Sequence, residues 1–230
     1  MNQTTDMAFG ANYRDINTAN TLKRFASTVD SMQHFRELFI NSKESEATRI
    51  EVTSDYETYK SLGVSRLVVK DDGCGMTPEE LEQYIGNHNS SSKSKTSGVH
   101  ENFGIGAKAT CLTWNKYGLV YLSYTFRNNK RTASMVWLAF NEEINSYAMR
   151  TILIHDVDED GNTYTDEQGR PIWDYSGNVI DLQVLRKSYP EGFEGVKWWN
   201  ILPTKPKGKN ASSESGTIVI CCGNHIKDST

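Results

Sequence analysis

The spacing of apolar residues predicts an amphipathic helix within residues 21–47. Apolar side chains recur there at intervals of three and four, which places them on one face of a helix. Glu37, Asn41 and Glu44 follow the same spacing on a roughly opposite face, so their polar groups project together. The apolar face, which we expect to pack against the core, consists of Met32, Phe35, Leu38 and Phe39.

Further along the chain, short apolar runs alternate with turn residues and predict strands and hairpins. Thr77-Pro78 is typical of a helix start, because Thr caps a helix and Pro is accepted in its first turn. Residues 86–103 are rich in Asn, Ser, Lys and Gly without periodicity, which predicts a loop. The other predicted elements are strands at 65–70, 119–126, 133–140, 148–155 and 216–222, a helix at 104–114 and hairpins within 158–178.

Length and composition favour one domain of ordinary character. The chain has 230 residues, of which 37% are hydrophobic and 23% charged, so a sizeable core is expected and disorder is not. The net charge of -4 gives no support for a protein that coats nucleic acid. No apolar run approaches the roughly 20 residues needed to cross a bilayer, so we expect no membrane partner.

The cysteines show no metal-binding spacing. Neither a C-x-x-C pair nor a cluster of histidines accompanies them. We therefore expect buried, reduced thiols in a cytoplasmic protein. The residues concerned are Cys74, Cys111, Cys221 and Cys222.

The polar face of the first helix has the chemistry of a magnesium–phosphate site. The amide oxygen of Asn41 is a hard ligand that suits Mg²⁺, and the carboxylate of Glu37 can orient and deprotonate water. The alternative is a polar helix face that simply meets solvent.

A carboxylate followed by two glycines ends the strand predicted at 65–70. Asp71 lies at the exit of this strand, and Gly73 and Gly75 allow a sharp turn that leaves room for a flat ligand. Because a carboxylate accepts a hydrogen bond from an exocyclic amine, Asp71 is suited to recognise adenine. The alternatives are a plain acidic turn or a calcium loop, and the calcium loop is disfavoured because its further ligands are missing.

A second glycine-rich segment, residues 103–108, leads from the loop into a predicted helix. Free N–H groups at a helix start, the positive end of the helix dipole and Lys108 in the first turn all favour phosphate. The spacing is not that of a Walker A loop, and no βαβ unit supports a dinucleotide fingerprint.

Together and in this order, these segments resemble the GHKL ATPases, the superfamily of gyrase B, Hsp90, histidine kinases and MutL. Residues 36–44 are similar to the family's first box, R-E-L-x-x-N-x-x-D, and residues 71–76 to its D-x-G-x-G box. Residues 104–108 are similar to the second glycine box, and Gly216-Thr217 to the late Gly-Thr strand. The resemblance implies the Bergerat fold, an α+β two-layer α/β sandwich whose mixed, largely antiparallel sheet is covered on one face by helices.

The resemblance also implies roles for individual residues in binding ATP and Mg²⁺. Glu37 corresponds to the general base and Asn41 to the Mg²⁺ ligand. Asp71 corresponds to the residue that reads the adenine amino group, and Thr217 assists through its hydroxyl and a water. The other residues implied to line the nucleotide site are Gly73, Gly75, Met76, Lys93, Asn102, Phe103, Gly104, Ile105, Gly106, Ala107 and Lys108.

The implied organisation is an N-terminal arm at 1–20 and an ATP-binding domain at 21–230, with an ATP lid at 86–103. The chain departs from the family at Glu44, where Asp is usual. The long separation of Lys108 from Thr217 predicts a strand-rich insertion at about 155–215. The aromatic residues of this insertion form either a partner surface or local packing.

Two residues bear on the branch of the family. Glu37 favours a hydrolase, because histidine kinases usually carry Asn at that position, and Lys108 favours an Hsp90-like or MORC-like type. We therefore expect a slow Mg²⁺-dependent ATPase whose lid closes and which forms an ATP-dependent homodimer as part of a larger protein. The alternatives are a non-hydrolysing ATP-binding interaction module and, less favoured, a protein kinase of the histidine-kinase type. Further partners that the resemblance admits are a client protein or DNA.

Overall fold

A computed structural model shows a large antiparallel sheet with helices packed against it. The described residues are 32–86, 105–156, 158, 162, 164–170, 172–187, 196–201 and 215–230. The helices are α1 (Gln33–Glu44), α2 (Tyr56–Leu62), α3 (Pro78–Gly86), α4 (Ile105–Leu112), α5 (Leu182–Lys187) and a 3₁₀ turn (Trp198–Ile201). The strands are β1 (Ile50–Ser54), β2 (Leu67–Asp71), β3 (Leu119–Arg127), β4 (Lys130–Asn141), β5 (Ser146–Met149), β6 (Ile152–His155), β7 (Trp173–Gly177), β8 (Ile180–Asp181) and β9 (Gly216–Cys221).

The order of the strands brings distant segments of the chain together. The large sheet has the order β1-β2-β9-β3-β4-β5, with β8 paired to β4, and its pairings among the described residues are antiparallel. β9 lies between β2 and β3 although it is the last of these strands in sequence. Thr217 therefore lies beside Asp71 on one side and Ser123 on the other. The α+β class with a largely antiparallel sheet is confirmed.

Side chains alternate along the strands and divide the core between the two faces of the sheet. On β3, Leu119 and Tyr121 belong to one buried cluster, and Val120 and Leu122 belong to the other. Helices α1, α3 and α4 cover the first face, where their buried residues are Leu38, Leu81, Ile85, Ala107, Cys111 and Leu112.

The opposite face of the sheet is also covered, which the apolar pattern did not predict. α5, the 3₁₀ turn and strand β6 contribute buried residues to the cluster on that face. Trp198 packs edge-on against Trp137, with ring centroids 5.0 Å apart. The indole N–H of Trp198 donates to Asp55 Oδ2 at 2.8 Å and to Thr58 Oγ1 at 2.9 Å. Trp198 therefore packs in the core, whereas Tyr164 is exposed.

The predicted apolar face of α1 is wrong for two of its residues. Met32 is 64% exposed and Phe39 is 40% exposed, whereas Leu38 and Ser42 are buried. The helix buries a serine because the Ser42 hydroxyl has a charged partner, Asp71, at the end of β2. Apolar spacing alone cannot show such a polar contact.

Two further differences concern strands and a short helix. The strand expected over 148–155 is divided into β5, which pairs with β4, and β6, which pairs with β7 in a separate two-stranded sheet. β1 and α2 were not predicted. α2 has no apolar stripe that would have indicated a helix, and its Tyr56 and Tyr59 are exposed. The local signals for α2 are its cap Asp55, which accepts from Glu57 N, and the left-handed Gly63 at its end.

The thiols follow the expectation at three of four positions. Cys111, Cys221 and Cys222 are buried and free, but Cys74 is free and exposed because it lies in the turn after β2. Within the described residues, no helix combines the length and the apolar character that crossing a membrane requires.

Candidate functional site

The carboxylate of Asp71 is held by three separate segments of the chain. Ser42 Oγ on α1 donates to Asp71 Oδ2 at 3.0 Å. The backbone N–H of Gly73 donates to Oδ1 at 3.0 Å, and that of Thr217 on β9 donates to the same oxygen at 3.2 Å. The structure therefore brings Asp71 and Thr217 together, although 145 residues lie between them in sequence. This arrangement fixes the direction of a carboxylate that is only partly exposed.

Burial governs the electrostatics of Asp71. Loss of solvent raises the pKa of its carboxyl above the usual value, and the hydrogen bonds from Gly73, Ser42 and Thr217 oppose that rise. The charge of the neighbouring Asp72 adds to the rise. A carboxylate in this setting gains from any further donor, such as the amine of a bound base.

The two glycines after Asp71 are required by close packing against the protein itself. A Cβ on Gly73 would collide with the side chain of Ser45. Gly75 has a left-handed φ of +62°, and a Cβ there would collide with the backbone oxygen of Tyr124 on β3. The sharp turn agrees with the expectation, but the space beside each Cα is filled by Ser45, which directly follows α1, and by β3.

A polar row on β3 holds this turn. The backbone N–H of Met76 donates to Ser123 Oγ at 2.7 Å, and Thr125 Oγ1 donates to the Cys74 carbonyl at 3.1 Å. Arg127, the next residue on that face, donates to the Gly75 carbonyl at 3.1 Å and pairs with Glu80 on α3 at 2.7 Å. Ser123, Thr125 and Arg127, which alternate along the second half of β3, thus all contact the turn.

The polar residues of α1 lie beside this site in two different environments. Glu37 is partly buried and forms an ion pair with Arg36, with Nη1 and Oε1 2.9 Å apart. Burial raises the pKa of the Cys111 thiol on α4 to about 12, and the charge of Glu37 contributes to that rise. Asn41, one turn after Glu37, is exposed. Glu37 therefore lies near α4, and Asn41 adjoins the residue that contacts Asp71.

Lys108 on α4 is turned into the protein. Its side chain is 2% exposed, and its ammonium group donates to the backbone carbonyl of Tyr84 near the end of α3. Burial lowers the pKa of this ammonium to about 7. In the described conformation the Lys108 ammonium therefore contacts the C-terminal end of α3. Its contact with phosphate stays a prediction.

The rest of the predicted phosphate segment is described in part. The helix predicted at 104–114 is present as α4, so Ile105 and Gly106 lie in its first turn and Ala107 is buried. Lys93, Asn102, Phe103 and Gly104 lie outside the described residues, as does nearly all of the segment 86–103.

Four residues whose hydrogen bonds hold Asp71 or the turn after it were not found from the sequence. Ser42 follows Asn41 on α1, and its signal is a small polar residue inside a helix. Ser123, Thr125 and Arg127 alternate along β3, and their signal is a polar residue at every second position of an otherwise apolar strand. That signal indicates a polar contact but not its partner, which depends on how β3 pairs with β9.

Comparison with protein families places the chain among ATPases. The family model described as "Histidine kinase-, DNA gyrase B-, and HSP90-like ATPase" matches residues 32–163. The matched range contains α1, the turn after β2 and α4, whereas β9 lies beyond it. No curated protein matches the chain.

Proposed function

The chain belongs to the histidine kinase-, DNA gyrase B- and HSP90-like ATPase family, and on this basis we propose that it binds ATP beside Asp71 and hydrolyses it slowly with Mg²⁺. The observation that carries the proposal is the Asp71 carboxylate at the end of β2. Hydrogen-bond donors from α1, the turn and β9 hold it in place. A fixed acceptor of this kind suits the exocyclic amine of adenine. Thr217, beside it on β9, supplies a second polar group.

The neighbouring residues of α1 suit the triphosphate end of the ligand. Asn41 offers an amide oxygen, which Mg²⁺ accepts as a ligand, and Glu37 offers a carboxylate one helical turn away. In this proposal Asn41 holds the ion, and Glu37 accepts the proton of the attacking water. When bound there, Mg²⁺ would supply positive charge that offsets the charge of the phosphates.

The phosphates are proposed to lie at the start of α4. The resemblance implies that backbone N–H groups at Gly104 and Gly106 cradle the phosphates, and Lys93 and Lys108 would add positive charge. For Lys108 this requires its ammonium to leave the Tyr84 carbonyl and turn toward the phosphates. Such a movement is favoured because a charged amine is costly to keep buried.

The resemblance to Hsp90-like and MORC-like proteins extends the proposal to conformational change. Residues 86–103 close over ATP, and the arm at 1–20 is ordered with them. Closure favours a homodimer of the intact protein, and hydrolysis releases it. These steps rest on analogy with the family.

A second candidate function is an ATP-binding interaction module without turnover. The ion pair between Arg36 and Glu37 favours it, because Arg36 occupies an oxygen of the carboxylate that a general base would present to the attacking water. The two functions differ in phosphate release and not in ATP binding.

Measurement of ATP binding and phosphate release on the same protein tests the proposal. We expect Glu37→Gln to bind Mg·ATP like the wild type and to lose at least about 100-fold in turnover, as expected for a missing general base. Glu82→Gln, which removes a similar charge from an exposed position on α3, is the matched control. Wild-type binding without phosphate release would favour the module, and equal turnover in Glu37→Gln would reject Glu37 as the base.

A further inference from the structure

Ser123 occupies a central position beneath the proposed adenine site. It is fully buried, so it cannot touch a ligand itself. Its hydroxyl has three polar neighbours: Met76 N at 2.7 Å, Gly216 O at 3.2 Å and Thr217 Oγ1 at 3.3 Å. A serine hydroxyl carries one proton and accepts two hydrogen bonds, so these three contacts use its full capacity.

The chemistry of the three neighbours determines the direction of each bond. The N–H of Met76 can only donate, so Ser123 accepts from it. The carbonyl of Gly216 can only accept, whereas the Thr217 hydroxyl can donate or accept, so we assign the Ser123 proton to the carbonyl. Because that proton is then used, the contact with Thr217 is a hydrogen bond only if the threonine donates.

This assignment leaves the Thr217 oxygen with lone pairs and no proton for a ligand. Thr217 is partly exposed and lies beside Asp71 in the sheet. Asp71 in its ionised form is also an acceptor. Both side chains thus present acceptors on the side where a base would bind.

We propose that Ser123 is a positioning residue that makes the site selective for adenine over guanine by fixing the Thr217 hydroxyl as an acceptor. The inference rests on the proposed function, and it concerns which base is read there. Adenine presents an amine donor at its six-position, which two acceptors bind. Guanine presents a carbonyl at the same place, and a site of acceptors leaves that carbonyl and the protein oxygens unpaired.

Removal of the Ser123 hydroxyl tests this role. In Ser123→Ala the Thr217 proton is released and can turn toward a guanine carbonyl. We expect the ratio of ATP to GTP affinity to fall about 3- to 10-fold, the effect of one neutral hydrogen bond. Affinities for both Mg-nucleotides are measured on the full chain by competition with a fluorescent ATP analogue.

Thr125→Val is the matched control on the same strand. Thr125 also holds the turn, through the Cys74 carbonyl, but no described hydrogen bond joins it to Thr217. We expect this variant to weaken ATP and GTP equally and to leave their ratio unchanged. A structural role of Ser123 alone would give the same result as Thr125→Val.

A double-mutant cycle separates an effect through Thr217 from an effect on the turn. In a Thr217→Val background, Ser123→Ala should leave the affinity ratio unchanged. Ser123→Cys, whose thiol is a much weaker hydrogen-bond donor and acceptor than the hydroxyl, replaces the alanine variant if the latter does not fold, and the same direction is expected. An unchanged ratio in a folded Ser123 variant overturns this inference, whereas absence of ATP binding by the wild type overturns the proposed function on which it rests.

Discussion

The hydroxyl of Ser42 on α1 lies 3.0 Å from Asp71 Oδ2 at the end of β2 and donates a hydrogen bond to it. This contact joins the helix that carries Glu37 and Asn41 to the carboxylate proposed to read the base. It also explains why a serine is among the most buried residues of α1. One side chain therefore connects the two ends of the proposed nucleotide site.

Removal of this contact should weaken both folding and nucleotide binding. We expect Ser42→Ala to lower the free energy of unfolding by about 1–3 kcal/mol, because a partly buried carboxylate loses a donor. ATP affinity should fall about 10-fold, measured by calorimetric titration. Ser45→Ala is the control, since Ser45 donates to the Ser42 carbonyl and not to Asp71. Equal effects of the two variants on ATP affinity would contradict the role of Ser42.

The left-handed Gly75 should be much less tolerant of a side chain than the left-handed Gly63. Both have positive φ, +62° and +72°, but only at Gly75 would a Cβ meet backbone, whereas Gly63 has nothing within 4 Å of that position. Gly63→Ala should cost about 1–2 kcal/mol for its conformation alone. Gly75→Ala should cost about 1–3 kcal/mol more from the collision. Urea denaturation measures both, and similar losses would show that the turn can move away from β3.

Lys108 should make stability depend on pH in the alkaline range. The pKa of its ammonium is about 7 in the folded protein and 10.5 in the reference state, so the unfolded chain binds a proton that the folded one does not. The stability contributed by the neutral amine is therefore present above pH 10.5 and is lost as pH falls toward 7.

Lys108→Met removes this titration without removing the apolar part of the side chain. Between pH 7.5 and 9 we expect wild-type stability to rise by up to about 1.4 kcal/mol per pH unit relative to the variant. Comparison of the two proteins cancels the titration of the buried thiols, which both contain. Parallel pH profiles would show that the amine is charged in the folded state.

Much of the sheet was predictable from the apolar pattern, but its order was not. The long runs in β3 and β4 and the capped start of α3 at Thr77 are local signals, and the structure confirms them. The place of β9 between β2 and β3 depends on pairing Thr217 with Asp71 and Ser123, and no local pattern contains that information. The apolar run at 148–155 likewise did not show that its halves join different sheets.

The residues of the candidate site that belong to a sequence motif were predictable. Those that are placed by the packing of separate segments were not. Asp71 and Thr217 were expected to act together from the family resemblance, and they lie in contact. Ser42 and Ser123 were missed, because their roles follow from which segments meet around the turn. The inward direction of Lys108 could not be predicted either, since the partner is a backbone carbonyl.

Calorimetric titration of Mg·ATP into the wild type, Asp71→Asn and Asp72→Asn tests the central claim most directly. The two variants make the same chemical change at adjacent positions, but Asp72 is bound by the backbone N–H groups of Thr48 and Arg49 and not by the Asp71 partners. We predict that Asp72→Asn binds ATP like the wild type and that Asp71→Asn binds it about 10- to 100-fold more weakly, as expected for a lost charge-assisted hydrogen bond. Equal ATP affinity in Asp71→Asn and the wild type would contradict the account.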